Sequence, residues 1–502
     1  MRKFILFIVV FISAYAKAQK IPDPKPFANS IKEEALKKHL YTIAGKEFEG
    51  RETATPGQKK AAAYIEDFFK SIGLKPGNKD SYQLYYPVFQ DSITNAGIQI
   101  NGYTYQLNED FGVNASSNYT ATLSGSEIVF AGYGISDSTH DDYQGLDVKG
   151  KIVLVLDGMP SNQLQSQIRG RAFNPYGKQD AAQKNGAIAL LVVQTNFPRR
   201  GNGVARGNMY LNGFRKTIRP NTFYVSEKIA KAIMGNDYQG KTNANAQPKP
   251  YTANITLQFS KETAQLQSSD VLGYLEGTDL KDQLVVISAH YDHLGKRDTV
   301  IYYGADDDGS GTVSILEIAQ AFAKAKEAGK GPRRSILFLA NSGEEKGLWG
   351  SAYYADHPVY PLDKTTVDLN IDMIGRIDDT RKKGDSTNYV YVVGDDKLSS
   401  DLKVISEEQN KKYTKLELDY KFNDPKDPQR IYYRSDHFNF AQKGVPIIFY
   451  YDGMLDRDYH KPTDTPDKIS YDVMAKRAKL VFYTAWEMAN RNDMLKRDIP
   501  LN

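Results

Sequence analysis

From residue 271 onward the chain alternates short apolar runs with longer stretches of helical periodicity, and this alternation constrains the fold more than any other feature. The runs at 284–288, 335–340, 367–371 and 445–450 have the length and apolar content of buried strands. Ile315, Ala319 and Phe322 form the stripe of a helix that runs out near Gly329. The reading is an α/β sheet with helices on both faces. Residues 31–74 are helical in pattern. They end with Ile65, Phe68, Phe69 and Ile72 at i, i+3, i+4 and i+7 before Gly73 and Pro76.

Between these parts the character changes. Short β-rich runs (128–130, 151–156, 187–193) are separated by Gly, Asn, Ser and Pro clusters, which predicts a separate, mostly β domain inserted into the first. The expected organisation is a discontinuous domain over 28–107 and 266–495, with an insert over 108–265.

Residues 1–18 read as an export signal: Arg2 and Lys3, then an apolar run, then Ala16-Lys17-Ala18 as a small-x-small cleavage site. The apolar run is shorter than the roughly 20 residues of a spanning helix, so a membrane anchor is the weaker reading. Removing the signal leaves 62 basic against 61 acidic side chains, which gives no electrostatic case for nucleic-acid binding. There is no cysteine, so thiolate nucleophiles, disulfides and Cys-ligated zinc are all excluded. The mature protein is expected to be periplasmic or secreted, monomeric and not inserted in a membrane.

In open α/β sheets ligands bind beyond the carboxyl ends of the strands. Polar strings stand at those positions here: Ala289-His290-Tyr291-Asp292-His293, then Gly304-Ala305-Asp306-Asp307-Asp308-Gly309-Ser310-Gly311 at a helix start, Asn341-Ser342-Gly343-Glu344-Glu345, Asn370-Ile371-Asp372-Met373 and Tyr459-His460. Taken singly each has an ordinary explanation. His290 could be a satisfied buried histidine, the aspartate run a helix cap with solvated neighbours, Glu344-Glu345 a solvated pair and Asp372 a turn former. Their joint placement in one crevice is different, because several buried carboxylates without counter-charge cost many kcal/mol or become neutral. Cations must share the site. Two histidines and three carboxylates suit a pair of zinc ions, and two divalent ions, three carboxylates and a bridging hydroxide balance to zero charge. Glu344 is left over as the general base for the metal-bound water.

These strings, together with Ser435-Asp436-His437, resemble the dizinc aminopeptidases of peptidase family M28 over about residues 30–105 and 268–490. The resemblance implies the zinc exopeptidase fold, a mixed and mostly parallel sheet sandwiched by helices. The insert resembles the protease-associated domain through Phe130-Ala131-Gly132-Tyr133-Gly134, Val148-Lys149-Gly150-Lys151-Ile152-Val153-Leu154 and Ala181-Ala182-Gln183-Lys184-Asn185-Gly186-Ala187. Carried over by position, Asp307 bridges two zinc ions, His290 and Asp372 complete one, and Glu345 and His460 the other. Asp292 would accept a hydrogen bond from the far nitrogen of His290. Glu344 is the general base and Tyr459 a donor to the oxyanion. Asp436 and His437 are supporting structure, and His293 is expected to stay outside the ligand set.

The expected function is removal of N-terminal residues from peptides with a free amino terminus, through a dizinc-bound hydroxide. Glutaminyl cyclase, carboxypeptidase and a non-catalytic peptide binder are the alternatives. One further feature lies in the insert, where Arg199, Arg200, Arg206, Arg215, Lys216 and Arg219 occur with no acid between Thr195 and Val225. It is either a solvated loop or a basic overhang that attracts the free carboxylate of short peptides.

Overall fold

The computed structural model describes residues 21–138, 140–159, 172–198, 206–212, 218–240, 247–455 and 457–501. The export signal expected over 1–18 lies outside them, as do Arg199, Arg200, Arg215 and Lys216 of the basic segment. The chain forms two compact units, one from the residues up to Tyr86 with those from Ser268 on, the other from Pro87–Gln267. The second passage falls close to the expected 265/266. The first comes earlier than 107/108, within the strand Gln83–Ile100, whose residue pattern carries no break that would mark it.

Four parallel strands make the centre of the first unit's sheet, in the spatial order Arg334–Asn341, Leu280–His290, Thr365–Ile371 and Ile447–Tyr451. Residues 271–275 lie antiparallel on one side. On the other side Tyr389–Val393 is antiparallel and Glu417–Asp419 follows at the edge. Parallel neighbours need long crossovers. The helices Gly311–Glu327 and Trp349–Asp356 supply the first two.

The strands are apolar throughout because both faces are covered. In Leu280–His290, alternate side chains part company: Val285, Ile287 and Ala289 enter one core, Leu284 and Val286 the other. The first core is closed by the helices Glu33–Ile43, Pro56–Ser71, Gly311–Glu327 and Tyr471–Asn490, through Leu36, Leu40, Ile65, Phe69, Phe322 and Trp486. The expected stripe of the second of these helices is there, with Ile65 and Phe69 fully buried and Phe68 and Ile72 packed partly buried at its flank. Phe322 stacks on Trp486 at 5.6 Å between ring centroids, and truncating such a ring to Ala costs about 3–5 kcal/mol. The opposite core includes Tyr354 of Trp349–Asp356 and Phe440 of the helix His437–Gln442.

The second unit is strand-rich as expected, yet its central strands Ala121–Phe130, Ile152–Leu156, Ala189–Gln194 and Asn221–Ser226 are parallel. Phe111–Val113 and residues 249–259 flank them antiparallel. Helices Pro175–Lys184 and Glu227–Met234 accompany them, which a mostly β reading did not include. The physical reason is visible in the strands: Leu154 and Leu191 enter one core while Val153, Val155, Leu190 and Val192 enter the other, so neither face can be left to water. Of the basic segment, Arg219 pairs with Asp180 at 2.6 Å and Arg206 opens the strand Arg206–Tyr210.

Candidate metal centre

Each central strand of the first unit ends in a residue that turns toward the same place. His290 is the last residue of its strand, Asp372 follows Ile371, and Glu344 and Glu345 follow Asn341 in a short turn. The segment after Tyr451 brings Tyr459 and His460. Asp307 comes from the irregular turn Ala305–Ser310, where it and Asp308 leave helical geometry just before the helix Gly311–Glu327 begins.

The three consecutive aspartates divide three tasks. Asp308 is a brace: its Oδ1 accepts from the backbone N–H of Gly311 (2.8 Å) and Met373 (3.1 Å), and its Oδ2 from that of His290 (3.3 Å). The helix-cap reading of the run therefore holds for this one residue. A Cβ at Gly311 would stand 2.3 Å from the Asp308 carboxylate and 2.4 Å from the Ile371 carbonyl, so only glycine lets the helix start there. Asp306 accepts from Gly375 N–H at 2.8 Å. Asp307, between them, is left to face the histidines.

His290 Nε2 lies 3.3 Å from Asp307 Oδ1 and 3.5 Å from Asp372 Oδ1. His460 Nε2 lies 3.1 Å from Asp307 Oδ2 and 3.1 Å from Glu345 Oε2. Thus the two oxygens of Asp307 serve two separate groups. Ligands sharing one tetrahedral zinc with bonds of about 2.0 Å are about 3.3 Å apart, and these spacings match that edge. Buried atoms with no hydrogen-bond partner mark the same two places: His290 Nε2, Asp307 Oδ2, Glu345 Oε1 and both ring nitrogens of His293. Unpaired buried polar atoms cost about 1–3 kcal/mol each, more when charged, and a cation between them removes that cost. The donors are imidazole nitrogens and carboxylate oxygens, which fit zinc. His290, Asp307 and Asp372 form one candidate cluster, and His293, Asp307 and Glu345 another.

The electrostatics of the metal-free arrangement point the same way. Burial would push the proton off His290, but Asp372, Glu344 and Asp307 reverse the shift and raise it well above the usual histidine range. Burial likewise opposes protonation of His460, and its contacts with Asp307 and Glu345 lift it to about 10. Burial pushes Asp307 up, but His290 and His460 outweigh it and hold it far below the ordinary range. Glu344 goes the other way: burial, then the Glu345 and Asp372 charges, raise it well above a normal glutamate, with His290 opposing. Protons thus stand in where cations would.

Asp292 differs in detail from its expected role. His290 Nδ1 is 3.1 Å from the Asp292 backbone carbonyl and 3.8 Å from its carboxylate, so the carbonyl is what fixes the ring. The carboxylate instead accepts from Thr53 Oγ1 at 2.6 Å and from the backbone N–H of Glu344 at 3.2 Å. It therefore positions Glu344, whose Oε2 is 3.9 Å from His290 Nε2.

Tyr459 stacks on His460 with ring centroids 3.8 Å apart, and its Oη accepts from Arg434 Nη2 at 3.0 Å. Burial and the Asp307 charge raise the Tyr459 hydroxyl beyond its ordinary range, so it stays a proton donor. Its loop is tied down by Asp458, which accepts from Arg376 (2.9 Å), Lys468 (2.7 Å) and Thr463 (2.6 Å). Asp307, Glu344 and Asp372 open into a pocket whose other walls include Met373, Ile431, Phe449, Tyr451, Leu455, Tyr459 and the exposed Arg434. His437 is buried, bonds Tyr432 O through Nε2 at 2.8 Å and is pushed down to about 3 by burial, hence neutral. Asp436 accepts from Ser351 Oγ at 2.5 Å, and burial pushes it up to about 7.

Sequence reading passed over three residues that the structure brings in. Arg51 is fully buried and donates to the carbonyls of Tyr291, Ile43, Tyr303 and Gly304, which ties together the two loops that carry His290 and Asp307. Thr53 and Arg434 act on Asp292 and Tyr459. No spacing rule links Arg51 and Thr53 to the site, because they come from a distant part of the chain, whereas Arg434 directly precedes the motif Ser435-Asp436-His437. His293, which the sequence reading placed outside the ligand set, pairs with Glu345, with Nδ1 2.7 Å from its Oε1.

Residues 270–485 match the family model described as peptidase family M28. A probable leucine aminopeptidase of Arthroderma otae is 31% identical over 217 residues, 42% of this chain and 56% of that protein. The chain thus spans about half the length of this curated relative. Among solved structures, an aminopeptidase from Aneurinibacillus sp. strain AM-1 superposes with a TM-score of 0.56 at 20% identity, covering 95% of this chain and 99% of the other. A zinc aminopeptidase from Bacillus subtilis gives 0.53 at 20% identity, covering 94% and 99%. At that identity the likeness establishes the fold, which is the α/β sheet with helices on both faces.

Proposed function

With residues 270–485 taken as a member of peptidase family M28, we propose that the chain is a zinc-dependent aminopeptidase that hydrolyses the first peptide bond of peptides with a free amino terminus. The observation that carries this reading is the convergence of partnerless buried donors, in two sets sharing Asp307, beside a glutamate that belongs to neither set. His290, Asp307 and Asp372 would hold one zinc ion, and Asp307, Glu345 and His460 the other. When bound, the pair supplies Lewis acidity to the scissile carbonyl and lowers the pKa of a water.

This chain's own residues do the rest. Glu344 takes the proton of the attacking water and passes it to the leaving amine. Its carboxyl is aimed by the bond from its own backbone N–H to Asp292, which Thr53 holds in turn. Tyr459 donates its Oη–H to the developing oxyanion, and the bond it accepts from Arg434 leaves that hydrogen free to point into the pocket. Met373, Ile431, Phe449 and Leu455 line the space beside Asp307, Glu344 and Asp372 with apolar surface.

The exposed guanidinium of Arg434 favours a second reading, a carboxypeptidase that grips the substrate carboxylate. Zinc content by elemental analysis, with initial rates on matched free, N-acetylated and C-amidated peptides, decides. Two zinc ions per chain and loss of turnover on N-acetylation support the aminopeptidase. Rapid cleavage of the acetylated peptide and none of the amide would replace it with the carboxypeptidase. The insert is read as a protease-associated domain and residues 1–18 as a cleaved export signal, for a monomer acting in the periplasm or outside the cell. No helix among the described residues is long and apolar enough to cross a membrane. N-terminal sequencing of the exported protein, expected to begin at Gln19, tests the signal.

A further inference from the structure

The turn that carries Glu344 is held from a second side, independent of the bond its N–H makes to Asp292. Ser342, two residues before Glu344, is fully buried with every polar atom engaged. Its N–H donates to Asp270 Oδ1 at 2.9 Å. Its carbonyl accepts from Tyr86 Oη at 2.9 Å and from the backbone N–H of Gly350 at 2.8 Å. Its hydroxyl lies 2.8 Å from Tyr86 Oη and 2.9 Å from Ser268 Oγ. Tyr86 and Ser268 are themselves buried, and they hold a particular place in the chain. Tyr86 is the last residue of the first unit before the second begins, and Ser268 is the first after the second ends. Departure and return of the chain therefore close on one residue, Ser342.

What these hydroxyls fix is the backbone next to the base. Gly343 stands between Ser342 and Glu344 with φ at 73°, the left-handed region that glycine enters without strain. A Cβ there would stand 2.7 Å from Tyr86 Oη and 2.9 Å from Trp349 Cβ, so the tyrosine hydroxyl fills the space beside the glycine. Glycine also leaves the chain free to pivot, and here the pivot lies directly before Glu344. The peptide groups around it are all tied: the Ser342 carbonyl to Tyr86, the Gly343 carbonyl to the N–H of Trp349 at 2.9 Å, and the Glu344 N–H to Asp292. A proton acceptor has to be held within about 0.5 Å of its working geometry, and a displacement of about 1 Å costs on the order of a hundredfold in rate. Packing alone would be served by apolar residues, as in the strand Arg334–Asn341 just before, where residues 336–340 are apolar throughout. Two serines and a tyrosine hydroxyl gathered on one buried turn fix its direction as well as its place.

We propose that Tyr86 and Ser268, where the chain leaves and rejoins the first unit, are positioning residues for Glu344: they grip Ser342 and so set the turn that aims the base. The inference rests on the reading of Glu344 as general base. It adds residues that touch neither substrate nor metal and act only through that carboxylate.

The test uses the full zinc-loaded chain and an aminoacyl anilide, with zinc content by elemental analysis and the melting transition recorded for each variant. Tyr86→Phe, which removes one oxygen and keeps the ring, is expected to lower kcat about 10–100-fold with KM within about twofold and zinc content as in the wild type. Ser268→Ala is expected to lower kcat about 3–10-fold in the same manner. The deciding arm repeats both changes in a Glu344→Gln background. There the residual kcat is expected to stay within about twofold, because the group that the clamp aims has gone. A fall in that background as large as in the wild type would mean that the hydroxyls act on the fold or the substrate, and overturns the proposal. So does a normal kcat in both single variants. Full turnover of Glu344→Gln alone would instead defeat the reading of Glu344 as base, which keeps the two failures apart. Should Tyr86→Phe lose its melting transition, Ser268→Ala and its Glu344→Gln arm decide by the same criteria.

Discussion

Removing the metals should destabilise this protein more at high pH than at low, and the structure fixes the sign. In the metal-free arrangement the contacts of His460 with Asp307 and Glu345 lift it to about 10 from 6.5, and His290 is raised as well. A histidine whose folded pKa lies above its unfolded value contributes stability fully below the unfolded pKa, about 6.5, and loses it as pH climbs through the folded pKa. The metal-free protein is therefore held together by protonated imidazoles at pH 6 and progressively less so toward pH 10. Fully expressed, a rise from 6.5 to about 10 would be worth about 5 kcal/mol. The His460 ring is more than a third exposed, and screening reduces the figure to about 1–2 kcal/mol. At roughly 2–4 °C per kcal/mol for a domain of this size, Tm of the chelated protein should fall by about 2–8 °C more than that of the zinc-loaded protein between pH 6 and 9.5. Burial holds Asp368 up at about 8 in either form, and that contribution cancels in the difference. Differential scanning fluorimetry with EDTA or with zinc, at fixed ionic strength, reads the gap directly. A gap that is constant, or that narrows toward pH 9.5, would refute the idea that protons and metals compete for one set of buried atoms.

Glu344→Gln should retain both metals and the melting temperature while kcat falls about 10²–10⁴-fold, because it removes a proton acceptor and no ligand; full turnover would dismiss Glu344 as base. Asp307→Asn should fail to hold two zinc ions per chain by elemental analysis, since its two oxygens face separate nitrogens and an amide offers one oxygen. Thr53→Val removes a buried donor to the Asp292 carboxylate and should cost about 1.5–3 kcal/mol in urea unfolding, with a fall in kcat. An unchanged kcat would separate Asp292 from the aiming of Glu344. Arg434→Met should lower kcat about tenfold with little change in KM if the residue aims Tyr459, and should raise KM instead if it binds the substrate's carboxylate.

How far the sequence reveals this molecule depends on whether a contact is local in the chain. The central strands were legible because each is buried on two faces and so is apolar at every position, as at Val285, Val286 and Ile287. The same rule applied to Ile152–Leu156 carries the helices of the second unit, whose runs look like any short β segment when periodicity alone is weighed. The unit boundary at 86/87 leaves no trace, since Gln83–Ile100 extends through it with one strand-like composition.

The site divides along the same line. Strand ends can be read, so His290, Asp307, Glu344, Glu345, Asp372 and His460 stand out as polar residues where apolar runs stop. What fixes them cannot be read, because a hydrogen bond leaves no spacing when its partners are hundreds of positions apart. Thr53 reaches Asp292 and Arg51 reaches Gly304 in this way, and both belong to a segment whose periodicity says only helix and turn. His293 lies between the two cases. It is three positions from a legible site residue, yet its place depends on the room left at Gly304 and on the carboxylate of Glu345, fifty-two positions on. A histidine three residues past a metal-binding one falls on either side of an extended chain according to where the strand ends. Here the strand stops at His290 and the next residues curl toward Arg51, which turns the His293 ring inward. The place of the His293 ring beside Glu345 therefore rests on a backbone hydrogen bond, from His293 N–H to Arg51 O, that no pattern of residue types encodes.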